Sequence, residues 1–240
     1  RAGRVYIVLV VMSEISLLTG MLLVKVAHDS LLFGWGVTDL AAFFAPSWAY
    51  GLILLGFAIK AGIVPLHVWL PLAHPVAPTP ASAVLSGAMI KAGLLGCLRF
   101  LPVGDAALPD LGNACLILGL MTAFYGVVIG VTQRNAKTVL AYSSISQMGL
   151  MTLGLGGGLL VPGAWPTITT AVLIYALHHG LAKGCLFVSV GVAAAASGRS
   201  WIWRLLQGGV LVPTLAMAGA PLTIGAVSKT MLKQSLEPLP

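Results

Sequence analysis

The sequence predicts an all-α fold, a polytopic transmembrane bundle of six to seven helices with two broken helices. Hydrophobic residues make up 58% of the 240 residues and charged residues only 8%, about a third of the charged share of an average soluble domain. The mean hydropathy is +1.00. Several apolar stretches reach the ~20 residues that a membrane-spanning helix needs. This composition excludes a soluble enzyme, a disordered tail and a nucleic-acid-binding domain.

Seven apolar stretches are predicted to be helices. They cover residues 5–27, 47–72, 80–101, 111–131, 138–157, 166–196 and 207–233. Asn113 and Pro166 lie near two predicted starts, and glycines 156–158 lie at one predicted end. The more polar segment 28–46 is predicted not to span the membrane, and residues 73–79 are predicted to form a tight, proline-rich loop.

Alternate threading of these helices separates the loop charges by side. One side holds only basic residues: Arg1, Arg4, Arg134, Lys137, Arg199 and Arg204. The other side holds Asp29, Asp39, Asp105, Asp110 and Glu237 together with Lys25, Arg99 and Lys233. Because cytoplasmic loops carry the excess of Lys and Arg, Arg1 and the Arg134–Lys137 loop are predicted to be cytoplasmic. We expect the membrane to be the inner (cell) membrane of a bacterium.

Two predicted spans contain a helix breaker beside a lysine. Lys60 precedes Pro65 in one span, whereas Lys229 follows Pro221 in the other. Proline removes a backbone hydrogen bond, so each helix is predicted to break. The two helices run in opposite directions and carry their lysines on opposite sides of the break, as an inverted repeat would require. Paired broken helices of this kind indicate a transport site.

The whole chain, residues 1–240, is predicted to be a single transmembrane domain. Its first-repeat part covers about 1–131 and its second-repeat part about 132–240. The chain begins at Arg1 without a methionine and stops at Pro240 just after an apolar run. We therefore expect it to be an internal piece of a longer membrane protein.

Four lysines lie inside predicted spans: Lys60, Lys91, Lys183 and Lys229. Each costs ~2.5–3.5 kcal/mol at the bilayer centre and therefore needs a partner, water or a function. The alternative for each is that its long side chain reaches the interface. Because burial readily tunes the proton affinity of a lysine, a series of such lysines can pass protons.

Several other polar residues are candidates for proton transfer. His179 and Lys183 are four residues apart and share a helix face, where an imidazole can take up and hand on a proton; a packing histidine is the alternative. Ser144 and Gln147 can hold water between the lysines or simply bond neighbouring helices. His67 and His74, which flank the first broken helix, can form a proton uptake route or anchor the helix at the interface.

No catalytic group, cofactor site or metal site is predicted. The cysteines Cys97, Cys115 and Cys185 lie scattered in apolar stretches without the CxxC spacing of a metal or redox site, and no nucleotide-binding motif is present. Any redox chemistry is therefore expected in another subunit. Glu14 is the only acid inside a predicted span and can pair with a buried lysine, and no role is predicted for His178.

Several long motifs resemble one family. They are Lys-Ala-Gly-Ile-Val-Pro-Leu-His-Val-Trp-Leu-Pro-Leu-Ala-His-Pro-Val-Ala-Pro-Thr-Pro-Ala-Ser-Ala at 60–83, Ser-Gly-Ala-Met-Ile-Lys-Ala-Gly at 86–93, Lys-Thr-Val-Leu-Ala-Tyr-Ser-Ser-Ile-Ser-Gln-Met-Gly at 137–149, His-Gly-Leu-Ala-Lys-Gly-Cys-Leu-Phe at 179–187, and Ala-Gly-Ala-Pro at 218–221 with Ser-Lys at 228–229. This pattern is similar to the antiporter-like proton-translocating subunits of respiratory complex I, of membrane-bound hydrogenases of the hydrogenase-4 and formate hydrogenlyase type, and of Mrp-type sodium/proton antiporters.

The resemblance implies two inverted five-helix repeats, each with a broken helix and a buried lysine. By motif, Lys60 resembles the pumping lysine of the first repeat, and Lys91, Lys183 and His179 resemble the central hydrophilic axis. Lys229 resembles the second-repeat residue that opens to the far side. Family members pair the first-repeat lysine with a glutamate on a preceding helix. That helix is expected to be missing here, because Glu14 does not lie in the family's motif.

Three functions follow as hypotheses. The first is a proton-translocating subunit of a redox-driven complex similar to complex I or hydrogenase-4. The second is a subunit of an Mrp-type sodium/proton antiporter, and the third is a membrane anchor or assembly subunit that pumps nothing. The expected partners are other membrane and redox subunits, the lipid bilayer, and protons or sodium ions, with no nucleic acid.

Overall fold

The computed structural model describes residues 2–28, 47–101, 104, 107–195 and 200–237, and all regular secondary structure in this part is helical. The helices are α1 (Ala2–His28), α2 (Ser47–Ala61), α3 (Trp69–Val76), α4 (Thr79–Val84), α5 (Ile90–Phe100), α6 (Pro109–Gly130), α7 (Ala136–Leu160), α8 (Trp165–Ala195), α9 (Ser200–Ala218) and α10 (Ile224–Leu236). The predicted all-α class is confirmed. The prediction for segment 28–46 falls, beyond His28, outside the described residues.

Within the described residues, five helical stretches are long and apolar enough to cross a membrane. They are Ala2–Val26, Trp48–Val76, Thr79–Phe100, Pro109–Gly130 and Pro162–Ala195. α7 also has 25 residues, about 37 Å at 1.5 Å per residue. It packs against α3, α6 and α8 at the centre of the bundle, so its serine, glutamine and glycine residues face protein.

The first predicted break lies where Pro65 places it. α2 ends at Ala61, Gly62 adopts a left-handed φ of 70°, and a single 3-10 turn covers Leu66–Val68 before α3 begins. Two side chains satisfy backbone groups at the break. Thr122 Oγ1 on α6 accepts a hydrogen bond from Val64 N at 3.1 Å, and Trp69 Nε1 donates to the Ile59 carbonyl at 2.8 Å.

The predicted loop over residues 73–79 is largely wrong. α3 continues to Val76, and only Ala77 and Pro78 separate it from α4. Pro71 lies in the first turn of α3. N–H groups there have no carbonyl partner within the helix, so proline removes no helical hydrogen bond. The adjoining ring of His74 stacks on Phe187 of α8 at a centroid distance of 4.6 Å, which holds the short helix against the bundle.

The second break also lies where it was predicted, near Pro221. α9 ends at Ala218, and Gly219 (φ 87°) and Leu222 (φ 67°) turn the chain. Thr223 then caps α10, because its Oγ1 accepts a hydrogen bond from Ala226 N at 3.2 Å. α9 begins at Ser200, earlier than the predicted start at residue 207.

The helix end predicted at glycines 156–158 is wrong, since α7 continues to Leu160. A Cβ on Gly156 would lie 2.9 Å from the carbonyl oxygen of Gly112 on α6. These glycines therefore serve helix packing and not helix termination. Asn113 lies inside α6, which starts earlier, at Pro109.

Candidate functional site

Lys183 is the most deeply buried charged side chain of the described part, with 0% of its surface exposed. It projects from α8 towards the facing surface of α7. Its Nζ donates to the Leu140 carbonyl oxygen at 2.7 Å and to Ser143 Oγ. A buried ammonium requires such acceptors, because an unpaired charge away from water is strongly unfavourable.

Hydrogen bonds connect Lys183 with Lys91. Ser144 Oγ donates to the same Leu140 carbonyl at 3.0 Å and lies 2.7 Å from Ser86 Oγ. The carbonyl of Ser86 in turn accepts from Lys91 Nζ at 2.5 Å. We call this set of residues the polar row: Lys91, Ser86, Ser144, Leu140, Ser143 and Lys183.

A π-helical turn makes the Ser86 carbonyl available to Lys91. Residues Leu85–Met89 form this turn between α4 and α5, and the N–H of Ile90 bonds to the Leu85 carbonyl. In an α-helix that N–H would bond to the carbonyl of Ser86. Single π turns of this kind are frequent at functional sites.

The π turn lies in backbone contact with α8. A Cβ on Gly180 would be only 2.8 Å from the carbonyl oxygen of Gly87. Lys91 lines an open groove beside this contact, together with Gly87, Gly180, Ala176, Leu177 and Leu181. Two glycines thus bring the helix that carries Lys91 next to the helix that carries Lys183.

The face of α8 that carries Lys183 continues with His179 and Tyr175. The Tyr175 hydroxyl donates to Gln147 Oε1 on α7, so polar pairs connect the two helices at both ends of this face. His179 lies between them, fully buried, and neither of its ring nitrogens bonds to any described residue. A buried imidazole without protein partners is a site for bound water.

Lys60 forms an ion pair with Glu14. Its Nζ lies 2.6 Å from Oε1 of Glu14 on α1, and the side chains of Lys60 and Glu14 are 19% and 58% exposed. The sequence allowed Glu14 to pair with a buried lysine, and Lys60 is that lysine.

Lys229 spans the second break. From α10 its Nζ reaches back to the Met217 carbonyl of α9 at 2.6 Å, and its side chain is half-buried. The carbonyls of the last helical turn carry partial negative charge. This half-helix end therefore holds the ammonium.

Among the residues described here, no group of three or more His, Cys, Asp and Glu side chains is arranged to hold a metal ion. Cys97 is buried, Cys115 is half-buried and Cys185 is exposed.

The family model described as "NADH:quinone oxidoreductase/Mrp antiporter, TM" matches residues 1–236. The chain belongs to this family.

Curated members of this family resemble the chain over most of its length. It is 30% identical to hydrogenase-4 component B of Escherichia coli over 269 aligned residues, covering 96% of the chain and 39% of that protein. It is 34% identical to formate hydrogenlyase subunit 3 of the same species, covering 78% of the chain and 33% of that protein. The chain thus spans between a third and two-fifths of the length of these relatives.

The fold is also similar to that of a solved Mrp complex. A subunit of the Mrp complex from Dietzia sp. DQ12-45-1b superposes with a TM-score of 0.81 at 25% identity, covering 98% of the chain and 44% of that subunit. Family membership and the integral membrane location predicted from the sequence are both confirmed.

Within this family member, His67 and His74 lie in the bundle and not at its surface. His67 is 6% exposed and contacts Tyr125 edge-on at 4.7 Å between ring centroids. His74 is fully buried. Interfacial anchoring, the alternative that the sequence left open, does not fit this burial.

Sequence reasoning missed three residues of the site: Ser86, Tyr175 and His178. The side chains of Ser86 and Tyr175 gain their partners from another helix, 58 and 28 residues away. The sequence indicated that Glu14 can pair with a buried lysine but did not identify which one. His178, for which no role was predicted, lies at the second break. Only Ser86 carried a usable signal, because it begins one of the family motifs.

Proposed function

We propose that this chain is a proton-translocating subunit of a redox-driven membrane complex similar to complex I or the hydrogenase-4 type. Protons move between Lys60, Lys91, Lys183 with His179, and Lys229. The observation that carries this proposal is the polar row, in which hydrogen bonds between buried and half-buried groups connect the helix of Lys91 to the helix of Lys183 through Ser86 and Ser144. Four buried or half-buried lysines in apolar helices lower the stability of the fold. Their presence therefore favours a transport role over a structural one.

The chemistry of the polar row suits proton transfer. The hydroxyls of Ser86 and Ser144 each contain one donor and two acceptor positions, so a proton can arrive on one side as another leaves. The backbone carbonyls of Ser86 and Leu140 only accept hydrogen bonds. They hold the lysines in place, and water carries the proton between Lys91 and the Ser86 hydroxyl and between Ser144 and Lys183. The ammonium group of Lys91 or Lys183 supplies the proton and becomes a neutral amine. That amine then accepts the next proton. His179 and Gln147, next to this row, hold water where direct contacts end.

Lys60 and Lys229 are the outer members of the path. Glu14 Oε1 accepts a hydrogen bond from Lys60, and the Met217 carbonyl at the end of α9 accepts one from Lys229. Each lysine is therefore held by one acceptor at an end of the proposed path. No direct hydrogen bond joins either one to the polar row within the described residues, and water completes these steps in our proposal.

The orientation that we propose has Arg1 and the Arg134–Lys137 loop in the cytoplasm and the chain in the inner membrane of a bacterium. Lys137 Nζ donates to the Ala77 carbonyl at 2.7 Å, so the loop after α3 and the start of α7 meet at one end of the bundle. His74, buried just inside this end, is the proposed uptake residue. Other membrane and redox subunits supply the driving reaction.

An Mrp-type sodium/proton antiporter subunit is the second candidate. The similarity to the Mrp complex of Dietzia sp. supports it, and the same lysines would exchange protons for sodium. In both cases about 1–131 and 132–240 act as the two halves of an inverted repeat in one transmembrane domain.

The test is the variant Lys183→Met in the full-length protein. The complex is purified from its own membrane and placed in proteoliposomes that contain a pH dye. Proton movement is then started by a potassium diffusion potential or by a sodium gradient. Lys25→Met is the matched control, because Lys25 is exposed on α1.

We expect Lys183→Met to abolish proton movement per assembled complex and Lys25→Met to leave it unchanged. Transport that the potential alone drives supports the redox-coupled subunit, and transport that needs sodium supports the antiporter. If Lys183→Met transports as fast as the wild type, or the wild type moves no protons, the proposal fails and the membrane-anchor hypothesis replaces it.

A further inference from the structure

His178 and His179 are neighbours on α8 but face different parts of the bundle. Successive helical residues point about 100° apart. His179 lies on the face that meets α7, whereas His178 faces the second break between α9 and α10. His178 is 7% exposed, and its Nε2 is buried without a hydrogen bond to any described residue.

The ring of His178 lies where both halves of the broken helix meet. A Cβ built on Gly225 of α10 would lie 2.8 Å from His178 Nε2 and 1.7 Å from the Ala216 carbonyl oxygen of α9. The imidazole and the carbonyl therefore both lie against the position where a side chain of residue 225 would begin. Only glycine, which has no Cβ, fits there. This contact places an unpaired imidazole nitrogen at the end of α9.

Lys229 is held at the next carbonyl of the same turn. Its Nζ bonds to the Met217 carbonyl at 2.6 Å, one residue beyond Ala216. His178 in turn directly precedes His179 in α8. One cation and two imidazoles thus form a series from the second break to the polar row.

We propose that His178 is a proton-transfer residue that joins Lys229 to His179. This inference rests on the proposed function. The ammonium of Lys229 gives one proton to a nitrogen of neutral His178 and becomes an amine, while His178 becomes an imidazolium. The imidazolium then releases the proton from its other nitrogen, through water, to His179. Both steps run equally well in reverse.

A structural role makes a different prediction. If His178 only bonds the end of α9, any side chain with a donor amide in its place should suffice. His178→Gln separates the two roles, because the glutamine amide can donate to the Ala216 carbonyl but cannot gain or lose a proton. We expect its proton movement per assembled complex to fall at least about tenfold, as loss of a positioned acid–base group does.

The variant is measured beside Lys183→Met in the proteoliposome assay. A rate for His178→Gln within about twofold of the wild type, with Lys183→Met inactive, overturns this inference and leaves the proposed function intact. Normal rates for both variants overturn the proposed function itself. Loss in His178→Gln and Lys183→Met together supports both.

A second variant keeps the inference testable if His178→Gln does not assemble. His178→Ala removes the ring and leaves space, and imidazole is added to the liposome buffer. Recovery of proton movement with imidazole supports a proton-transfer role, because a bonding role would not depend on the buffer base. Absence of recovery overturns it.

Discussion

Replacing Gly180 by alanine should separate the two helices that carry the central lysines. The new Cβ would lie 2.8 Å from the carbonyl oxygen of Gly87. Neither backbone can yield locally, because one belongs to α8 and the other to the π turn. The π turn must therefore move away from α8 by roughly 0.5 Å to restore an ordinary contact.

This displacement affects both the stability of the protein and one hydrogen bond of the polar row. Overpacking of a well-packed interior costs about 1–3 kcal/mol. The Ser86 Oγ–Ser144 Oγ contact of 2.7 Å joins the π turn to α7. An added ~0.5 Å would lengthen it to about 3.2 Å, beyond the roughly 2.5–3.0 Å of a good O–H···O bond. We expect a lower melting temperature and a reduced rate of proton movement per assembled complex.

Gly184→Ala is the matched control, since no atom lies within 4 Å of its Cβ position. It changes the same residue type one turn further along α8, and alanine favours a helix over glycine by up to about 1 kcal/mol. Thermal unfolding in detergent and the proteoliposome rate are measured for both variants. Equal melting temperatures and equal rates would refute the close contact between the π turn and α8.

Three further predictions concern single hydrogen bonds. Ser144→Ala should cost about 1 kcal/mol of stability and slow proton movement, and an unchanged rate would remove Ser144 from the path. Thr122→Val should cost about 1–3 kcal/mol, because the buried Val64 N–H loses its acceptor; Thr122→Ser should retain the wild-type melting temperature. Asn135→Ala removes the cap of α7 and should cost about 1 kcal/mol with no loss of transport, so a transport defect would contradict a purely capping role.

The two helix breaks could be predicted because their signals are local. Pro65 and Pro221 cannot donate a backbone hydrogen bond in any fold. Gly62 and Gly219, two or three residues before these prolines, supply the left-handed turn. The buried position of Lys183 and the lining role of Ser144 follow almost as directly, since charge and hydroxyl groups inside an apolar span must face protein.

Pairings between distant helices could not be predicted in the same way. Glu14 and Lys60 are 46 residues apart, and the local sequence of each helix does not determine which other helix it packs against. The glycines near residue 156 favour a helix end by local propensity, yet packing against Gly112 outweighs that preference. Ser86 depends on a π turn, for which the sequence has no distinct pattern.

The two breaks differ in their mechanical connection to the bundle. At the first break, the Val64 N–H donates to Thr122 on another helix. Rotation of the backbone at this break would therefore break a hydrogen bond between helices. At the second break, the described backbone hydrogen bonds of residues 219–227 all go to carbonyls of the same broken helix or its turn. α10 is instead held to the bundle by side-chain packing, because it lies against α8 and its Leu232 is buried in the core. The position of the second half-helix should therefore depend more on core packing than on any single backbone hydrogen bond to another helix.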